Sequence, residues 1–170
     1  GIDNGLSGGL VALDQHCSIV DMIRMPVKKC PWRGNIISTE VLHTWLRSFR
    51  GIRFVVLEEC PDHADRASTM RIMACSFGQI CTAVELAGLA DRLRFVRSGN
   101  PMDSWQRITF HGWNATIAGE TKQLAAREAA MVWPSVSFVP PKCRTPDTGL
   151  LDAALTARHA TVNCVGGRLL

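Results

Sequence analysis

GIDNGLSGGLVALD, residues 1–14, puts an aspartate at position 3, just inside an apolar strand and directly before a loop with glycines at 5, 8 and 9. A carboxylate in such a place is costly unless it is paired or coordinates a cation. Asp3 is therefore either a satisfied turn residue or the seat of something positive, and acids elsewhere in the chain have to decide between the two.

The surrounding elements read as an α/β domain. Residues 9–14 and 18–26 form two short strands joined by a turn around residues 14–16, and residues 27–35 (VKKCPWRGN) form a basic loop. Residues 38–49 start on Ser38 or Thr39 as N-cap and carry apolar residues at 41, 42, 45, 46 and 49, a helical face. IRFVVLEE, residues 52–59, is a continuous apolar run of the kind found in a strand buried on both faces. A long helix over 66–89, a strand over 92–98, an amphipathic helix over 121–133 stopped by Pro134, a polar loop over 142–149 and a closing apolar helix over 150–160 follow. A hairpin followed by alternating elements predicts a mixed sheet with helices on its faces, the ends of its central strands meeting in one cleft.

Bulk properties narrow the class. With 170 residues the chain is a single domain with room for a core, and 46% hydrophobic residues with mean hydropathy +0.07 describe a globular chain rather than a disordered or membrane one. No apolar run reaches the ~18 residues a bilayer span needs. Lys and Arg total 19 against 15 Asp and Glu, a mildly basic balance compatible with a nucleic-acid partner. Seven cysteines without a C-x-x-C pair indicate neither a disulfide framework nor a zinc site, and are read as thiols of an intracellular protein.

Three acids stand where carboxylates are awkward: Asp3, Glu58 at the end of FVVLEE, and Asp152 inside GLLDAALTA. Each alone reads as a cap or strand-end residue. Together, on neighbouring strands and a helix packed across them, they would repel and raise one another's pKa unless divalent cations neutralised them. All-oxygen donors select Mg²⁺ or Mn²⁺, and two such ions are the apparatus for attack of water on a phosphodiester. Asp147, in TPDTGLLD, is a fourth ligand or the N-cap of the last helix. Glu59 rivals Glu58, since adjacent strand residues face opposite sides and only one can enter the cleft.

GIDNGLSGGLVALD resembles the opening of RuvC-type Holliday junction resolvases, G-[IV]-D-P-x-x-[ST]-G. VVLEECP resembles their second acidic strand, with Glu58 in the catalytic place. SFGQICTAVELAGL is similar to a helix of phage-type and plant chloroplast resolvases, SWQRITF and ETKQLAAREAAMVWP to their Trp-Lys segment and Lys-bearing helix, and DTGLLDAALTARHA to their closing helix. The likeness runs over residues 1–160 in the same order. Two departures stand out: Thr148 occupies the place of an Asp or His before the glycine, with Asp147 one step earlier, and Gln106 replaces a lysine.

The resemblance implies an RNase H-like mixed five-stranded sheet flanked by helices, and a homodimer cutting opposed strands of a four-way DNA junction. It implies two Mg²⁺ held by Asp3, Glu58, Asp152 and Asp147, with Lys122 on the scissile phosphate. Expected DNA contacts are Lys28, Lys29 and Arg33 around Trp32, then His63, Arg66, Arg71 and Arg97, together with Trp105 and Lys122. The apolar stripe of the long helix, with Met70, Met73, Phe77, Ile80, Val84 and Leu89, is core and a candidate dimer contact. Other readings are a different branched-nucleic-acid nuclease of the same fold, a binding module without chemistry, and an actin-like sugar kinase, whose second lobe would not fit in this length.

Overall fold

The computed structural model describes residues 1–60, 67–97, 105–109, 120–165 and 168–169. Strand β1 (Gly9–Leu13) pairs antiparallel with β2 (Ile19–Arg24), Gly9 opposite Arg24 and Leu10 opposite Ile23. Asp14 shapes the connecting turn, its Oδ1 accepting from the His16 and Ser18 amides at 2.8 Å each. Residues 1–3 run back beside β1. The Ile2 amide donates to the Val56 carbonyl at 2.8 Å, the Glu58 amide to the Ile2 carbonyl at 3.3 Å, and the Asp3 amide to the Gly9 carbonyl at 3.0 Å. Ile2 thereby bridges Leu10 on one side and Leu57 on the other, which ties the β1–β2 pair to β5 (Val55–Glu58) and its parallel partner β6 (Leu93–Val96).

The sheet is thus a set of two-stranded ladders stitched by Ile2, where one regular five-stranded sheet was expected. The three residues before the Asp3 loop are too few to make a full ladder of their own. A second departure lies at residues 27–35, expected as a loop. β3 (Val27–Cys30) and β4 (Gly34–Ile37) form a hairpin there, Lys28 opposite Ile36 and Lys29 opposite Asn35. Its first strand is exposed over Val27, Lys28 and Lys29, so it carries no apolar alternation to announce it. Gly34, at φ +76°, supplies the left-handed residue that closes a three-residue hairpin loop.

Helices cover both faces. α1 (Thr39–Arg47) follows Ser38 and buries Leu42 and Leu46. α2 (Ala67–Leu86) is the crossover between parallel β5 and β6, and packs on α1. These two enclose one core with Ile2, Leu10, Leu57, Ile80 and Val84. α3 (Trp105–Thr109), α4 (Glu120–Val132) and α5 (Thr148–Asn163) surround the other with Val11, Val56, Trp105, Ala129 and Leu155. The alternation is visible along β5: Val55 and Leu57 enter the α1–α2 core, Val56 the α5 core. A short pair, β7 (Cys164–Val165) and β8 (Arg168–Leu169), closes the described chain.

α5 is apolar nearly all round and seats on β1 through small residues. Gly8 bridges Gly149 at the helix start. A Cβ on Gly149 would lie 2.5 Å from the Ser7 carbonyl oxygen and 2.7 Å from the Gly8 Cα, so only glycine permits this approach. No helix among the described residues is long and apolar enough to cross a membrane.

Candidate active site

The register at Ile2 sets the first two acids side by side. Ile2 pairs with Leu57 in parallel, so the next residue on each strand, Asp3 and Glu58, faces the same side. That side is the opposite of Ile2 and Leu57, and α5 packs there. The Gly8–Gly149 contact holds the start of α5 against the Asp3 loop and delivers Asp152 one turn into the helix.

Electrostatics records the convergence. Burial pushes the Asp3 carboxyl well above the usual carboxylate range, and the charges of Glu58, Asp152 and, least, Asp147 add to it. Asp152 is pushed up to about 7, by burial first and Glu58 second, while Lys122 pulls it back down. Asp3, Glu58 and Asp152 therefore lie within electrostatic reach of one another, with Lys122 near Asp152. Glu59 points elsewhere, 3.5 Å from Arg97 Nε in an exposed ion pair, which separates the two adjacent glutamates as strand alternation requires.

Asp147 is engaged otherwise. Its Oδ2 accepts from Arg24 Nε at 2.5 Å and its Oδ1 from the Leu150 amide at 3.2 Å, and its carbonyl accepts the Leu151 amide. It caps α5 as a carboxylate only 7% exposed, held by a guanidinium from β2. Arg24 is a residue sequence reasoning missed, because β2 reads as an ordinary strand and the pairing spans the chain. Asn4 was missed too. It is 8% exposed, and neither its carbonyl oxygen nor its amide nitrogen finds a partner among the described residues. Its position after Asp3, where the resembled pattern has proline, was the available signal.

The donor set suits a hard divalent cation: oxygen-only ligands, close enough to oppose one another's ionisation. Their side chains form coupled acids rather than a finished coordination shell, since no three His, Cys, Asp or Glu among the described residues already meet around one point.

The expected DNA contacts scatter. Lys28 and Lys29 stand exposed on β3, and Trp32, Arg33 and Arg71 line a groove between the β3–β4 hairpin and α2. Arg97 pairs with Glu59. Trp105 is fully buried, its ring covered by the α4–α5 core, which removes it as a platform for DNA. His63 and Arg66 lie outside the described residues.

This architecture matches a solved structure, T. thermophilus RuvC in complex with a Holliday junction substrate, at TM-score 0.51 and 16% identity over 95% of this chain and 91% of that one. The fold is RuvC-like. No family model matches the sequence, and no curated protein matches it either. The likeness covers nearly all of both chains, so the β-ladders, the flanking helices and α5 belong to one shared architecture.

Proposed function

We propose that this chain is a metal-dependent endonuclease that resolves four-way DNA junctions as a homodimer, of the phage-type and chloroplast resolvase kind. The observation that carries the reading is the convergence of Asp3, Glu58 and Asp152 on one face of a RuvC-like fold, with Lys122 in their field. These carboxylates would hold two Mg²⁺, or Mn²⁺ in their place, with Asp147 as the outermost donor. When bound, such ions neutralise the cleft and activate the attacking water. The protein's own part is positional. The sheet register fixes Asp3 beside Glu58, and α5 adds Asp152. Arg24 keeps Asp147 on the helix end, and Lys122 orients a non-bridging phosphate oxygen. Lys28, Lys29, Arg33 and Arg71 would hold the backbone of the arms. A protein acting on DNA in this way works inside the cell.

Cleavage of a synthetic four-way junction with Mg²⁺ or Mn²⁺, against a linear duplex of the same sequence, tests the proposal. Asp3→Asn and Asp152→Asn should each lower cutting at least ~100-fold. The engagement of Asp147 by Arg24 and the α5 amide favours one other reading, a branched-DNA binding module without chemistry. Tight junction binding with no cutting in either metal would establish that reading instead, and equal cutting of plain duplex would refute junction specificity.

A further inference from the structure

Trp32 is 91% exposed at the tip of the β3–β4 hairpin. The other described tryptophans are settled within the fold: Trp105 and Trp133 lie in the core, and the Trp45 indole donates to Asp21 at 2.7 Å. Beside Trp32 a groove of about 430 Å³ runs between the hairpin and α2. Arg33, Arg71, Asn35 and Gln79 face it, and among the described residues no acid lines it. Arg33 reaches across to Cys75 Sγ at 3.4 Å, which holds its guanidinium over α2. Gln79 Oε1 already accepts the Ile37 amide at 3.2 Å, so its NH₂ is left as the donor. The lining therefore offers donors, positive charge and one bare aromatic face. Leu6, from the loop that follows Asp3, also lines it.

We infer that this groove captures an unstacked nucleotide of a DNA strand, Trp32 stacking on the base and Arg33 and Arg71 holding the flanking phosphates. The volume accommodates one nucleotide. The two arginines of the wall favour the phosphodiester, and stacking on a lone ring is tolerant of sequence. The inference rests on the DNA-directed reading above, but it concerns binding, and it can stand or fall without cleavage.

The test is binding of a fluorescein-labelled oligothymidylate, followed by anisotropy in EDTA so that no strand is cut, beside a duplex of equal length. Wild type should bind the single strand. Trp32→Ala should weaken that binding about tenfold or more while leaving the duplex unchanged, and Trp32→Phe should restore most of it. Arg33→Ala and Arg71→Ala should each reduce the slope of log affinity against log salt by about 0.7. As Trp32 is almost fully exposed, Trp32→Ala and Trp32→Phe should melt with the parent. Absence of single-strand binding by wild type, or an equal loss on both DNAs in Trp32→Ala, would overturn the inference. Failure of the junction-cutting assay would not touch this result.

Discussion

Asp152→Asn should make the metal-stripped protein more stable, and more so at alkaline than at acid pH. The carboxyl moves from its ordinary 3.8 to about 7 on folding. A raised folded-state pKa means that folding takes up a proton, so stability is greatest where both states are protonated and declines as pH climbs from the unfolded value through the folded one. At pH 5 the ionised unfolded chain is favoured by about 1.6 kcal/mol, and at pH 8 by about 4 kcal/mol. Asparagine has the shape of the neutral acid and does not titrate. The stability gap between Asp152→Asn and wild type should therefore widen by about 2–3 kcal/mol from pH 5 to pH 8. Asp3 works in the same direction, since the charge of Asp152 is one of the causes that raise it. Urea unfolding at both pH values in the presence of a chelator measures the gap, and saturating Mg²⁺ should shrink it by compensating the same charge. A gap equal at pH 5 and pH 8 would refute the reasoning: Asp152 would then be solvated rather than held against Glu58 in an apolar cleft.

Two further substitutions test the scaffold. Gly149→Ala drives a methyl into the backbone of Ser7 and Gly8; it should cost about 1–3 kcal/mol and lower junction cleavage beyond what the lost stability explains, and a thermal melt within experimental error of wild type would show that the helix start does not touch the loop. Thr156 is fully buried with an unpartnered hydroxyl among the described residues; Thr156→Val should be neutral or stabilising by up to about 1 kcal/mol in urea unfolding, and a loss of that size would mean that the hydroxyl is bonded.

The acids were legible because each breaks an apolar context: Asp3 after Ile2, Glu58 after Val55–Leu57, Asp152 among leucines and alanines. Strand alternation separated Glu58 from Glu59, and the ion pair of Glu59 with Arg97 agrees. What stayed hidden depended on partners far along the chain. Arg24 is one basic residue on a regular strand until β2 brings it to Asp147. Trp105 was expected at DNA through the resemblance of SWQRITF to a Trp-Lys segment, yet its ring fills the α4–α5 core. The hairpin at residues 27–37 carries charge on an exposed ribbon, which gives no periodic signal, and only Gly34 hints at its turn. Asp147 left ligand and cap open because an acid before a helix suits both. In the structure it pairs with Arg24 and accepts the Leu150 amide at the start of α5.

The touch between Gly8 and Gly149 also has a place in time. Asp3 and Glu58 can be paired as soon as β5 is made, but Asp152 arrives only when a helix encoded far downstream docks on the opening loop. Closing so long a span is slow compared with local pairing. During synthesis the chain would carry its basic hairpin well before it carries the complete set of acids. On the proposed function, the hairpin that would hold DNA thus forms before the acid site that would cut it, which waits for the docking of α5.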